Sequence, residues 1–404
     1  MPIAIRHYLL ITGNYWLFTI TDGAIRMLVV LHFYQLGYSP FEIALLFLFY
    51  EFFGIVTNLV GGYLGARLGL NRTMQLGTGL QIIALLMLTV PEAWLGVVYV
   101  MIAQALSGIA KDLNKMSAKA GVKIVTAEAQ GQLFSWVAWI TGSKNALKGM
   151  GFFVGSVLLA AFGFQIAVFI LAGLVTLGFI LTMMLPAGFG KIKAKPKFGQ
   201  MFAREPAINW LAAARLFLFA ARDVWFVVAL PLYLVAIGWD FQWVGAYLAL
   251  WVIGYGIAQA SAPKVFALSP KLGASGPGAG TALLGSVLLL LPLAIMLALV
   301  WFEVEAGWMI TSGLAVFGVV FAMNSATHSY LVLAFSNQED TSMNVGFYYA
   351  ANAGGRLLGT VLSGLSYQWL GIIGALGFAL LFVLLAAGLT FVLLRVQRHR
   401  LIGE

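Results

Sequence analysis

The chain has 404 residues, of which 62% are hydrophobic and 9% are charged. A typical soluble domain carries roughly 25% charged residues, so the composition excludes a set of water-soluble domains and indicates that lipid is the second solvent. The formal net charge is +9, from 23 Lys and Arg against 14 Asp and Glu, and the absence of cysteine excludes disulfides and thiolate metal sites.

Twelve apolar segments follow one another along the chain, each long enough for a helix that crosses a membrane. We number them spans one to twelve, and in chain order they cover about residues 8–36, 41–66, 73–91, 94–114, 132–160, 164–186, 206–236, 241–266, 279–301, 307–335, 343–368 and 370–394. The sequence therefore predicts an all-α membrane protein with twelve transmembrane helices.

The charges of the loops predict the orientation of these helices. With the N-terminus inside the cell, 15 loop cations fall on the cytoplasmic side and none in the six outer loops, which instead hold Glu42, Glu92, Asp240, Glu303 and Glu305. By the positive-inside rule, both termini are expected in the cytoplasm. This bias also accounts for most of the positive charge, so a nucleic-acid partner is not expected.

A basic polar stretch at residues 188–204 follows span six and divides the chain. We expect an N-terminal six-helix bundle at residues 1–187, a basic cytoplasmic linker at residues 188–205 and a C-terminal six-helix bundle at residues 206–404. This division predicts two bundles of similar design.

Two internal matches support a duplicated, pseudo-symmetric unit. Asp22 and Asp223 each precede a turn glycine by 15 residues and are separated by 201 positions. The GxxxG pair of residues 151 and 155 recurs at residues 355 and 359, an offset of 204. On this basis Asp22 and Asp223 are expected at equivalent depths.

This six-plus-six arrangement with a basic central loop resembles the major facilitator superfamily. Residues 62–72, GYLGARLGLNR, resemble the cytoplasmic signature G-x-x-x-D-R-x-G-R-R of that superfamily, with Arg67 retained and Ala66 in place of the aspartate. The resemblance implies the major facilitator fold, with spans 1, 4, 5, 7, 8, 10 and 11 along a central pathway. Ala66 puts the charge-relay form of the inward gate in doubt.

Eight cations and four acids lie inside the predicted spans, an excess of four positive charges: Arg26, Lys111, Lys115, Lys144, Lys148, Arg215, Arg222 and Arg356 against Asp22, Glu51, Asp112 and Asp223. Each charge in contact with lipid would cost at least about 2.5–3.5 kcal/mol, so these groups should meet water or one another. If these groups formed structural ion pairs alone, cations and acids would be equal in number and the net charge would be zero. We therefore expect the eight cations to bind a multiply charged anion, with arginine forming bidentate contacts to its oxygens.

Several of these charges also have purely structural interpretations. Asp22 with Arg26 and Asp112 with Lys115 could be structural ion pairs, and Lys115 could belong to the cytoplasmic mouth of span four. Arg222 and Asp223 are adjacent and are expected to point in different directions. Glu51 is expected to act in helix packing or gating, while His328 could shuttle protons or be a hydrogen-bonded core residue.

Three blocks resemble the ArsJ family of organoarsenical efflux permeases: TDGAIRMLVVLH at residues 21–32, QALSGIAKDLNKMSAK at 104–119 and TGSKNALKG at 141–149. The resemblance implies export of 1-arseno-3-phosphoglycerate across the bacterial inner membrane and hence arsenate resistance. It also implies a functional partner, glyceraldehyde-3-phosphate dehydrogenase, which forms this product when it accepts arsenate in place of phosphate. Hard cationic donors suit such an ester better than thiols.

Proton antiport is the expected driving force, with Asp22, Asp112 and Asp223 as the groups that exchange protons. An organophosphate:phosphate antiporter would share the cations, whereas a multidrug:proton antiporter would need acids in an apolar cavity. A scramblase would need a polar groove towards lipid, and a receptor a longer ligand-binding loop. No nucleophile–base constellation or metal-ligand cluster predicts an enzyme, and no cofactor is expected.

Overall fold

The computed structural model describes residues 3–128, 133–186, 206–268, 277–302, 307–335 and 341–403. The predicted linker at residues 188–205 lies outside the described residues, as do Glu303, Glu305 and the side chains of Ala66 and Arg67. The expectations for these residues stay predictions.

Helices make up nearly all of the described chain, and no strand occurs within it. They are α1 (Ile3–Gln35), α2 (Pro40–Leu45), α3 (Leu48–Leu68), α4 (Leu70–Met87), α5 (Val97–Glu128), α6 (Leu133–Met183), α7 (Pro206–Phe226), α8 (Ala229–Ala236), α9 (Phe241–Ala267), α10 (Ala279–Trp301), α11 (Gly307–Ala334) and α12 (Thr341–Gly403), with a 3₁₀ turn at Glu92–Trp94. The predicted all-α class is confirmed.

Eight helices of the described residues are long and apolar enough to cross a membrane. The helix α6 breaks at Gly163, where φ is 74°, and α12 breaks at Gly371, where φ is 60°. Glycine adopts this left-handed conformation without a steric penalty, so each of the two long elements contains two successive helices. The breaks lie close to the predicted junctions of spans five with six and eleven with twelve. The total of twelve spans and the cytoplasmic termini remain predictions.

The chain divides into two compact units. The first comprises Met1–Tyr38, Leu45–Gly199 and Trp239–Val252, and the second comprises Ser39–Ala44, Gln200–Gly238 and Ile253–Glu404. The short segment Ser39–Ala44 belongs to the second unit because the amide of Phe41 donates to Gln368 Oε1 at 3.1 Å and Gly364 packs on the backbone of Pro40. Likewise, Gly245 packs on Ser156 within the first unit.

Each unit is held together by close contacts between its first helix and a glycine pair. In the first unit, Gly151 and Gly155 of α6 lie on the backbone of Ile20 and Ala24 in α1. In the second, Gly355 and Gly359 of α12 lie on the backbone of Leu216 and Ala220 in α7. None of the four sites has room for a Cβ atom, since each would come within 3.0 Å of a backbone oxygen. Small residues permit this approach of helices.

The register of these contacts corrects the expectation that Asp22 and Asp223 lie at equivalent depths. The glycine pairs are offset by 204 residues, but their partners on α1 and α7 are offset by 196, not by the 201 that relates Asp22 to Asp223. Arg222 is therefore the counterpart of Arg26, and Asp223 lies five residues beyond the counterpart of Asp22. At 1.5 Å per residue, that separation is about 7.5 Å along the helix.

The five extra residues are accommodated by a break in the second unit. The helix α1 runs without interruption to Gln35, whereas α7 ends at Phe226 and α8 begins at Ala229. A break frees backbone amides that need acceptors in an apolar environment. Ser363 Oγ of α12 accepts from the amides of Val228 and Ala229 at 3.1 and 3.0 Å. The turn glycines that define the 201-residue offset, Gly37 and Gly238, both have positive φ.

Candidate functional site

The first buried ion pair joins α1 to α3. Arg26 Nη2 donates to Glu51 Oε1 at 2.8 Å, and the exposed fractions of the two side chains are 6% and 1%. The guanidinium also lies 5.0 Å from the ring centroids of Phe47 and Tyr50. The predicted i,i+4 pair of Arg26 with Asp22 is thus replaced by a pair with Glu51, because α3 brings its carboxylate to the guanidinium. This contact joins α3 to α1, and the role of Glu51 in helix packing or gating stays a prediction.

Asp22 instead bonds to a tyrosine that the sequence analysis missed. The hydroxyl of Tyr50 donates to Asp22 Oδ1 at 2.5 Å, and both residues are buried. Lys111 Nζ lies 4.0 Å from the centroid of the same tyrosine ring. Tyr50 therefore links the acid of α1 to the cations of α1 and α5. Its position directly before Glu51 was the available sequence signal.

Two lysines of α5 share one acid. Lys115 Nζ donates to Asp112 Oδ1 at 2.5 Å and to Asn58 Oδ1 at 3.1 Å, while Lys111 Nζ lies 3.8 Å from Asp112 Oδ2. The structural pair of Asp112 with Lys115 is therefore present. A quarter of the Lys115 side chain is exposed, so it also remains accessible to a ligand. Two cations on one carboxylate leave one positive charge in excess.

Lys144 and Lys148 lie on α6, the helix that packs on α1, and both are half-buried. Lys148 Nζ lies 5.9 Å from the ring centroid of Phe152, and the carbonyl of Lys148 is close to Gly23. Trp16 Nε1 donates to Ser143 Oγ at 2.9 Å and ties the same turn to α1. The first unit therefore places five of the predicted site cations on three helices, α1, α5 and α6.

In the second unit, Asp223 is shared by two arginines. Arg222 Nη2 lies 2.5 Å from Asp223 Oδ1, and Arg356 Nε lies 3.4 Å from Asp223 Oδ2. The expectation that Arg222 and Asp223 point apart is wrong, because the long arginine side chain folds back so that its Nε and Nη2 both reach the neighbouring carboxylate. We call Arg222, Asp223 and Arg356 the double-arginine clamp.

Arg215 has a different environment, two helical turns before Arg222 on α7. Its Nε donates to Asn352 Oδ1 at 2.9 Å, and its Nη1 donates to Ser325 Oγ and to the Ser325 carbonyl at 3.0 and 3.2 Å. The guanidinium carbon lies 4.1 Å from the Phe219 ring centroid and 5.1 Å from that of Tyr348. Arg215 is 3% exposed and has no carboxylate within salt-bridge distance among the residues that the structure describes.

His328 lies on α11, one turn after Ser325, and is fully buried. Neither ring nitrogen has a hydrogen-bond partner among the described residues, so the interpretation of a hydrogen-bonded core histidine is wrong. The proton-shuttle interpretation stays a prediction.

The predicted intramembrane charges leave the same net positive charge in both units. The first unit holds five cations and three acids, and the second holds three arginines and one aspartate, so each carries an excess of two positive charges. Asn352, Ser325, Phe219 and Tyr50 surround these charges and were not identified from the sequence, which shows polar and aromatic residues in every span. Among the described residues, no three His, Asp or Glu side chains come together as metal ligands.

Comparisons with known proteins agree with this architecture. The model of the Major Facilitator Superfamily matches residues 11–338. A nucleoside transporter, NupG, is 14% identical with a TM-score of 0.71 over 98% of this chain and 99% of its own. A bacterial homologue of the iron transporter ferroportin in an inward-facing state is 15% identical, with a TM-score of 0.70 over 97% and 99%.

A structure described as giving insights into substrate recognition in proton-dependent oligopeptide transporters is 16% identical, with a TM-score of 0.69 over 99% of this chain and 98% of that one. At these identities the likeness shows the fold alone. No curated protein sequence matches the chain. Since the family model covers most of the chain, the protein belongs to the Major Facilitator Superfamily and is a multi-pass membrane transporter of the secondary-transporter kind.

Proposed function

We propose that this transporter exports a multiply charged organoarsenical anion, 1-arseno-3-phosphoglycerate, from the cytoplasm across the bacterial inner membrane and so confers arsenate resistance. Glyceraldehyde-3-phosphate dehydrogenase would supply the substrate. The observation that carries the proposal is the excess of two cations over acids among the intramembrane charges of each unit. The three sequence blocks that resemble organoarsenical permeases direct the choice of anion.

The arginines of the second unit support an oxyanion substrate more specifically. Arg215 is buried, and its hydrogen-bond acceptors among the described residues are all neutral. Arg222 shares the carboxylate of Asp223 with Arg356. A buried cation without a full counter-charge is strongly destabilising, so a bound anion would relieve this cost. Arginine offers a planar fork of donors that matches phosphate and arsenate oxygens.

We further propose that proton exchange at Asp223 drives export. In its ionised form, Asp223 occupies Arg222 and Arg356 and competes with the substrate for them. Protonation removes the negative charge, frees both arginines and strengthens anion binding. Because protonation and anion binding favour each other at this site, antiport requires that only two forms change orientation. The protonated form without substrate returns to face the cytoplasm and loses its proton there, and the ionised form with substrate carries the anion out. Asp22 and Asp112, with a tyrosine and two lysines as their respective partners, are the further exchange candidates.

Inverted membrane vesicles test this proposal, because their outer surface is the cytoplasmic one. The dehydrogenase, glyceraldehyde 3-phosphate, NAD and arsenate are supplied outside to generate the ester, and arsenic in the lumen is measured. We expect accumulation when the lumen is acidic. Asp223→Asn should uncouple accumulation from the pH gradient, and Asp240→Asn, an exposed acid, should behave as the wild type.

The same assay distinguishes the organophosphate:phosphate antiporter. The arginines that would bind an arsenate ester would also bind a phosphate ester. Uptake that ignores the pH gradient but requires phosphate in the lumen would establish exchange and refute proton-coupled export. Absence of arsenic uptake under every gradient would refute the organoarsenical substrate itself.

A further inference from the structure

One aromatic ring of α7 contacts two arginines of the same helix. The guanidinium carbon of Arg215 lies 4.1 Å from the Phe219 ring centroid, and that of Arg222 lies 4.6 Å from the same centroid. The two guanidinium carbons can therefore be no farther apart than the sum of these distances, although Arg222 follows Arg215 by seven positions in the sequence. Phe219 itself is buried, so both cations lie against a ring that packing holds in place.

Each guanidinium also keeps one set of N–H donors available. Arg215 uses Nε and Nη1 for Asn352 and Ser325, and its Nη2 has no acceptor among the described residues. Arg222 directs Nε and Nη2 to Asp223, and its Nη1 has no acceptor within the described parts of the chain. Neither nitrogen is among the buried polar atoms that lack a partner in the described chain, so both edges keep accessible surface and can donate to ligand oxygens.

We propose that Arg215 and Arg222, which both contact Phe219, form a subsite for small anions that carry one oxyanion group at each end of a short carbon chain. Neighbouring atoms in such a chain are about 1.5 Å apart, so a three-carbon backbone with terminal oxyanions is long enough to reach two guanidinium groups that contact one ring. This inference rests on the proposed function and assigns the two-ended recognition of its substrate to two residues of α7.

The two ends of this subsite are not equivalent. Arg215 is held by neutral groups and stays positively charged whatever the state of the acids, whereas Arg222 is partly neutralised by Asp223. One end therefore binds an oxyanion constantly, and the other binds strongly only when Asp223 is displaced or protonated. A ligand with a single anionic group gains from the first end alone, and a two-ended ligand gains from both.

Calorimetric binding to the purified full chain tests the subsite without arsenic or a proton gradient. The probes are 3-phosphoglycerate, which has a carboxylate and a phosphate, and glycerol 3-phosphate, which has one phosphate and a neutral end. We expect the wild type to bind 3-phosphoglycerate at least about tenfold more tightly than glycerol 3-phosphate. Arg215→Gln should abolish most of this preference. Loss of one charge-assisted contact of this kind weakens binding by about 30-fold or more.

Arg395→Gln is the matched control, since Arg395 also stacks on a phenylalanine, at 4.6 Å from Phe391, but lies near the end of α12 and outside the proposed subsite. The Arg395→Gln variant should prefer 3-phosphoglycerate over glycerol 3-phosphate as strongly as the wild type does. If Arg215→Gln does not fold, Arg215→Lys retains the charge without the planar fork and should still reduce the preference. Equal affinities for the two probes in the wild type, or an unchanged preference in the folded Arg215 variant, would overturn the subsite. Neither result would alter the outcome of the vesicle assay, which reports on export separately.

Discussion

Arg26 illustrates how tertiary packing chooses the partner of a buried charge. Asp22 is one helical turn away on α1, but the guanidinium binds Glu51 of α3 at 2.8 Å, and Asp22 accepts from Tyr50. Coulomb attraction falls with distance and is strong in an apolar interior, so a carboxylate that packing brings into direct contact prevails over one that is near in sequence.

A double-mutant cycle checks the Arg26–Glu51 pair. Arg26→Gln and Glu51→Gln each leave a buried charge with one partner neutralised, and each should destabilise the fold by about 3–5 kcal/mol. The double variant should be more stable than the sum of the single effects predicts, with a coupling energy of about 0.5–3 kcal/mol. Unfolding of the purified variants in detergent measures this. Additive effects would show that the two groups do not interact.

The predicted anion ligands can be tested individually in cells that produce the dehydrogenase. Lys148→Ala, Arg222→Ala and Arg356→Ala should each abolish arsenate resistance at normal membrane levels, because loss of one desolvated charge contact costs about 2–5 kcal/mol of binding. Arg395→Ala should retain resistance. Resistance in all three variants would refute the assignment, and immunoblots of membrane fractions control for expression.

At the scale of helices, close packing and local breaks set the depth of the charged residues. Gly151 and Gly155 of α6 pack on α1, and Gly355 and Gly359 of α12 pack on α7. These contacts fix the register of α6 against α1 and of α12 against α7. The break between α7 and α8 then accommodates five residues that α1 lacks before its turn glycine. As a result, Asp223 comes next to the α12 glycine contact and within reach of Arg356. An alignment of the two halves by their turns alone places this acid incorrectly.

Gly359→Ala tests this element-level dependence. A Cβ atom at Gly359 would lie 2.8 Å from the Ala220 carbonyl oxygen and 2.8 Å from Asp223 Cβ, so α12 would have to move away from α7. We expect a loss of about 1–3 kcal/mol of stability from this overpacking and impaired export. Gly388 lies in the second helix of α12, after the break at Gly371, and a Cβ atom there would have no neighbour within 4 Å. Gly388→Ala should therefore be neutral or slightly stabilising. Equal melting temperatures for the two variants would contradict the close contact.

At the scale of the molecule, the positive charge has two separate uses. The loop cations define the predicted orientation, whereas the intramembrane cations give each unit an excess of two charges. This distribution makes the topology testable, because the native chain has no cysteine and any introduced thiol is unique.

Membrane-impermeant thiol reagents should therefore label Glu92→Cys in intact cells and Arg72→Cys only in inverted vesicles, since the first lies in a predicted outer loop and the second on the predicted cytoplasmic side. Both native residues are exposed, so access to the reagent does not depend on unfolding. Labelling of position 92 from the cytoplasmic side alone would reverse the topology.

The sequence by itself determined the all-α class, the family and the identity of the intramembrane charges, because lipid demands long apolar helices and makes each charge within them conspicuous. It also identified the glycine pairs of residues 151 and 155 and of residues 355 and 359. Only the tertiary structure decided that Arg26 binds Glu51, that Tyr50 holds Asp22, and that Arg356 of α12 reaches Asp223 of α7. These pairings depend on how the helices pack on one another, and contacts between distant helices leave no periodic signal in the chain. Partner choice among buried charges is therefore a property of packing, whereas their presence is a property of the sequence.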